Sequence, residues 1–205
     1  MMKAGRRAYL LRGAGDISYY YVGVGVPESS QAEECMATEH YRIVVDKQYL
    51  EFASAHFVTM KGTREPLHGH NYHCGVVVEG DLTDDGYVLD FSDVKRAARD
   101  ACRLLDHLVL LPEHHPELRV ERREGQVWVD YRQDHFEFPA ADVLLLPVAN
   151  TTAELLAQYL AGEIAKRLPA EKSERVLIIE VMVEEAPSQA AWFRTELNDA
   201  LANQV

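Results

Sequence analysis

Residues 52–72 read FASAHFVTMKGTREPLHGHNY and hold three histidines, His56, His68 and His70. On a β-strand, side chains at i and i+2 leave from one face. The HGH triplet can therefore aim two imidazoles at one point, while Gly69 keeps the reverse face small. His56 closes the alternating run 52–56. If 41–57 and 70–80 pair as antiparallel strands around a loop at 58–67, His56 arrives beside the HGH pair. Three imidazoles with one open position is the pattern of a catalytic zinc. The plainer alternative is an ordinary polar strand face. No fourth protein ligand is evident near the three histidines.

Outward from this stretch, 39–57 reads as one long strand, bulged near Asp46-Lys47, and 70–80 as a second. Asp84-Asp85-Gly86 signals a turn and 87–91 a short extended piece. Ser92 is a candidate N-cap, and Val94, Ala97, Ala98, Ala101, Leu105 and Leu108 recur at helical spacing, so the helix is expected to run to 108–111, before Pro112. Residues 117–138 alternate about Glu124-Gly125 and predict a hairpin, with the neighbouring Glu113-His114-His115 read as a solvated turn. A strand at 141–148 follows. Thr151 to Glu154 forms a capping box that opens a helix ending before Pro169. A strong apolar strand covers 175–185. The tail with Trp192 and Phe193 reads as a short helix or an interface piece.

The order predicts an α+β domain: an antiparallel four-stranded sheet with two helices on one face, plus the inserted hairpin. Residues 1–38 read as an N-terminal extension of unknown role. Residues 39–205 read as a single domain with its insert at about 113–141. Open sheet edges call for a homo-oligomer.

The 205 residues carry a formal charge of −12 and no basic block, which argues against nucleic acid as a partner. Three widely spaced cysteines, Cys35, Cys74 and Cys102, give no disulfide framework and fit a reducing compartment. No apolar run reaches the ~20 residues of a membrane span. The expectation is a soluble cytoplasmic protein with no membrane partner.

Four further residues suggest chemistry. Glu65, three residues before the HGH triplet, is either a general base or a solvated loop carboxylate. Asp106 and His107, at the end of the first helix, either border a cavity together or carry a simple helix-end charge. Glu185, at the end of an apolar strand, either grips a guanidine-like group through paired hydrogen bonds or lies on the surface.

Taken together, FxSAH at 52–56, LHGHNY at 67–72, GYVLDF at 86–91, LDH at 105–107, N-x-T-x-E at 150–154 and V-x-V-x-E at 181–185 resemble the 6-pyruvoyl-tetrahydropterin synthase family, in family order. That family includes the 6-carboxytetrahydropterin synthases of queuosine biosynthesis and variants linked to folate biosynthesis. The resemblance covers roughly 40–111 and 142–186. It implies a tunnelling fold, assembled as a dimer of trimers with sites at subunit boundaries. It also implies Zn2+ on His56, His68 and His70, an Asp106–His107 proton relay, and a pterin held by Glu185 with Thr152 and Glu154. In the common form of the family a cysteine base stands four residues before the HGH triplet. Here that position is Arg64. The chain resembles instead the cysteine-free branch, in which a glutamate beside the motif takes over. The expected activity is a zinc-dependent lyase that cleaves the side chain of 7,8-dihydroneopterin triphosphate to 6-hydroxymethyl-7,8-dihydropterin. The alternatives are 6-pyruvoyl- or 6-carboxytetrahydropterin synthase activity, or a non-catalytic pterin-binding paralogue.

Overall fold

The computed structural model describes residues 40–46 and 50–202, so the reading of 1–38 as an extension lies outside the described residues. The elements in chain order are β1 (Tyr41–Val45), β2 (Glu51–His56), β3 (Thr59–Met60), β4 (Thr63–Arg64), β5 (His68–Gly80), α1 (Phe91–Arg103), β6 (Leu108–Pro112), β7 (Leu118–Arg123), β8 (Gln126–Tyr131), β9 (Asp134–Pro139), β10 (Val143–Leu146), α2 (Ala153–Arg167), α3 (Ala170–Ser173), β11 (Val176–Ala186), β12 (Gln189–Glu196) and α4 (Leu197–Ala202).

The fold is organised around β5, a strand of 13 residues. On one edge it pairs with β2 through His68–His73 and with β1 through Val76–Gly80. On the other edge it pairs with β11, which pairs in turn with β12. All of these pairings are antiparallel. The single long strand expected over 39–57 is therefore two strands sharing one edge of β5. Beyond β2 the sheet continues through β6 and β10, both in parallel register, to give seven strands rather than four.

Inward residues of the central strands, among them Phe52, Tyr72, Val76, Val78, Ile179, Val181 and Val183, pack against α1 (Val94, Ala97, Ala98, Ala101) and α2 (Leu156, Leu160, Ile164). This is the α+β layering of helices against a largely antiparallel sheet. A second apolar cluster joins Val127, Val129 and Tyr131 of the inserted segment to Leu111 and Val143 of the main sheet and to Phe57, just after β2.

Several local expectations are corrected. Helix α1 is capped by Asp90, whose carboxylate accepts a 2.7 Å bond from the Ser92 amide, and not by Ser92. It ends at Arg103, because Leu108 and Val109 pair with Ser54 and Ala55 instead of continuing the helix. Thr152 is the N-cap residue of α2 and makes no side-chain cap; Thr151 donates its hydroxyl to the Phe57 carbonyl at 3.0 Å, so the capping box does not form. The insert is a three-stranded sheet, not a hairpin. Its first turn carries the glycine signal (Glu124 φ 47°, Gly125 φ 82°), whereas the second is made by Arg132 at φ 57° without a glycine. The tail around Trp192 and Phe193 is strand β12.

Gly80 is required where β1, β5 and β11 converge. A Cβ there would fall 2.2 Å from the Arg175 carbonyl oxygen, which already accepts from the Asp81 amide at 3.1 Å. Gly80→Ala is expected to destabilise the domain by about 1–3 kcal/mol through overpacking. Urea denaturation would show a lower midpoint at unchanged slope.

Candidate metal centre

The β2–β5 register places His56 directly opposite His68, and Ser54 opposite His70. Because alternate residues share a face, His56, His68 and His70 all point to the helix side of the sheet, at the end the helices leave uncovered. Ring centroids lie 4.7–5.3 Å apart. Glu185 reaches the same point from the end of β11. One ligand atom from each of the four residues lies within 4.8 Å of all the others. A carboxylate thus stands beside the three imidazoles: Glu185 Oε1 is 3.1 Å from both His56 Nε2 and His70 Nε2.

Surrounding carbonyls fix which ring nitrogens face the centre. His56 Nδ1 donates to the Thr151 carbonyl at 2.9 Å, and His68 Nδ1 donates to the Pro66 carbonyl at 2.8 Å. A carbonyl can only accept, so each Nδ1 holds the proton and each Nε2 presents a lone pair inward. That is the arrangement of metal-ligating histidines. Complete burial pushes the His56 pKa down, favouring the neutral imidazole that coordinates. His70 Nε2 is buried and makes no hydrogen bond; its approach to Glu185 is close but lacks hydrogen-bond geometry. An orphaned nitrogen, two orienting carbonyls and an N3O donor set fit a metal ion such as zinc.

Tyr72 completes the cluster. Its hydroxyl is 3.0 Å from His56 Nε2, and burial with the neighbouring Glu185 carboxylate pushes its pKa up, keeping it a protonated donor. The sequence reading missed it, although Tyr72 follows His70 by two residues and so shares its face.

His68, His70 and Glu185 line an open cavity of about 490 Å³ together with Glu65, Thr152 and Glu154. The Glu65 amide donates to the Val58 carbonyl at 2.9 Å, which ties the end of the loop back to its start. Thr152 and Glu154 enter from the N-terminus of α2. A closed structural metal site would have no such cavity beside it.

Asp106 and His107 are placed elsewhere. They follow the end of α1 in a turn where His107 adopts φ 61°. Asp106 Oδ1 accepts from the Ala53 amide at 2.8 Å, and this bond, with His107 close by, holds the carboxyl below its usual pKa. His107 Nδ1 lies 2.9 Å from the same oxygen, and its side chain is 82% exposed. It lines a second cavity, with His70, Asn71 and Asp142. The chain thus brings six of the nine expected site residues around one cavity, with His56 buried behind them, and leaves the Asp106–His107 pair apart. Cys74 lies in the core, where a hydrogen bond with Cys102 and burial raise its thiol pKa well above the usual value. It is no substitute for the missing cysteine.

A Methanocaldococcus jannaschii protein named as a candidate 6-carboxy-5,6,7,8-tetrahydropterin synthase is 37% identical over 149 residues, covering 72% of this chain and 91% of that protein. A dihydroneopterin monophosphate aldolase of Pyrococcus furiosus is 41% identical over 56 residues, 27% of this chain and 47% of that protein. Among solved structures, a Plasmodium vivax 6-pyruvoyltetrahydropterin synthase variant, with alanine in place of a catalytic glutamate, superposes with a TM-score of 0.73 at 29% identity, covering 77% of this chain and 99% of that one. The profile of the 6-pyruvoyl tetrahydropterin synthase family matches residues 45–196, a span that holds all three histidines, Glu65 and Glu185. The chain therefore belongs to the 6-pyruvoyl tetrahydropterin synthase family.

Proposed function

We propose that residues 39–205, with the insert at about 113–141, form a zinc-dependent lyase domain. It cleaves the side chain of 7,8-dihydroneopterin triphosphate to leave 6-hydroxymethyl-7,8-dihydropterin. The observation that carries this reading is the Glu65 carboxyl in one cavity with His68, His70 and Glu185, while Arg64 occupies the position of the family's cysteine. The catalytic residue replaced in the similar Plasmodium vivax structure is likewise a glutamate, and we take Glu65 as its counterpart.

Zinc bound to the three Nε2 atoms would polarise the side-chain hydroxyls of the substrate. Glu65 takes the proton from the 2′-hydroxyl. The O–H pair becomes the new carbonyl, the C1′–C2′ bond breaks, and its electrons pass to the C6–N5 system of the pterin. Return of a proton to C1′ leaves the hydroxymethyl group and releases the triphosphorylated two-carbon aldehyde. Glu185, Thr152 and Glu154 accept from the amino and N3–H edge of the ring and hold it in register. The half-buried Asp106 and the exposed His107, outside this cavity, act as a proton relay in the site of a neighbouring copy within a homo-oligomer, a dimer of trimers. In mixed oligomers, Glu65→Gln and His107→Ala chains should then restore part of the turnover that each lacks alone.

A second reading is 6-carboxytetrahydropterin synthase activity, the name carried by the Methanocaldococcus jannaschii relative. The test is incubation of the metal-loaded protein with 7,8-dihydroneopterin triphosphate and identification of the products by mass. 6-Hydroxymethyl-7,8-dihydropterin is expected. A carboxy or pyruvoyl product would move the chain to the second reading or to the 6-pyruvoyl type. Pterin binding without any product would make it a non-catalytic binder.

A further inference from the structure

We propose that the inserted sheet β7–β8–β9 is a positioning clamp for Glu65, acting through Asp134, Phe136 and Arg64. This rests on the reading of Glu65 as the base. Arg64 Nε donates to Asp134 Oδ2 at 2.6 Å, and the guanidinium lies over the Phe136 ring at 4.7 Å. Its Nη1 donates to the Glu65 carbonyl at 3.0 Å. Arg64 is thus held on two sides by the insert, and its remaining edge grips the peptide that carries Glu65. With its charge answered by Asp134, it acts as a strut between the insert and the cavity wall.

The rest of the β3–β4 hairpin is fastened to the same segment. Phe57, just before the hairpin, stacks on Phe136 with ring centroids 5.4 Å apart. Arg132 lies against the hairpin tip: its Nη2 is 3.0 Å from where a Cβ would stand on Gly62, and it donates to Glu117 at 3.0 and 3.1 Å. His115 Nδ1 accepts from the Glu117 amide, so His115 Nε2 carries the proton and donates to Thr59 Oγ1 at 2.7 Å. The turn at Glu113-His114-His115, read as solvated from sequence, is therefore one of the fasteners. Five contacts from one inserted segment converge on the stretch 57–64, whose next residue is Glu65.

Misplacing a catalytic group by about 1 Å costs up to ~100-fold in rate. Asp134→Asn and Arg64→Met are therefore expected to lower kcat about 10- to 100-fold, with KM within about twofold and metal content unchanged. In a Glu65→Gln background the same substitutions should cost nothing further, because the effect passes through Glu65. Hydrogen exchange supplies a readout independent of activity: the Glu65 amide, bonded to Val58, should exchange faster in both variants. Wild-type kcat and unchanged exchange in both variants would overturn the clamp and leave the base assignment standing. An equal loss in the Glu65→Gln background would also overturn it, as a general structural effect. Wild-type turnover by Glu65→Gln alone would sink the base assignment, and the clamp as a catalytic device with it. Thermal unfolding of each variant separates these outcomes from a failure to fold.

Discussion

Glu65→Gln is expected to lower turnover of 7,8-dihydroneopterin triphosphate by about 10²- to 10⁴-fold, the usual worth of a positioned general base. Glutamine keeps the shape of the side chain and its capacity to hydrogen-bond, and removes only the ability to take a proton. Metal content should stay at the wild-type level, because Glu65 is not one of the four clustered donors. Affinity for the pterin should change little, since the ring edge is assigned to Glu185, Thr152 and Glu154. The signature is a fall in kcat with KM nearly constant, measured by steady-state kinetics beside a metal assay. A proportional rise in KM at constant kcat would assign Glu65 to binding instead.

The second large effect is expected from His70→Ala. Loss of one of three imidazoles should abolish stoichiometric metal binding. If the metal supplies several kcal/mol of charge stabilisation, turnover should fall by at least about 10³-fold. His70 is a cleaner probe than His56. His56 is fully buried, so its removal also opens a hole in the core, whereas the His70 side chain is 23% exposed. A ligand that binds only the native state raises the melting temperature. Chelation should therefore lower the melting temperature of the wild-type protein and leave that of His70→Ala almost unchanged. Equal sensitivity to the chelator in both proteins would place the bound metal elsewhere.

The features legible in the sequence are those set by short-range periodicity. The alternation of His68 and His70, the apolar run that became β11, and the helical spacing from Val94 to Ala101 each reflect burial of one face by one element. What escaped the reading depends on pairing between distant segments. Leu108–Pro112 is apolar enough to prolong α1, and only its parallel partnerships with β2 and β10 make it a strand. The last strand of the insert follows a turn without glycine, so no local signal announced it. Glu185 joins the histidine cluster because the β5–β11 register carries the end of β11 past His73, a relation between strands far apart in sequence. The adjacency of Asp106 and His107 suggested a shared cavity, but after the turn that ends α1 His107 lines a second cavity while Asp106 is tied back to the Ala53 amide.

The proposed turnover requires that His56, His68 and His70, with Glu185 beside them, form a metal centre at which the pterin reacts. X-ray absorption at the metal edge of the zinc-loaded protein, with and without an unreactive pterin analogue, tests that claim. The predicted result is one metal per chain with a first shell dominated by imidazole nitrogens at about 2.0–2.1 Å, and a shell that changes when the analogue is added. A shell of sulfur ligands, or an imidazole shell indifferent to the analogue, would contradict it.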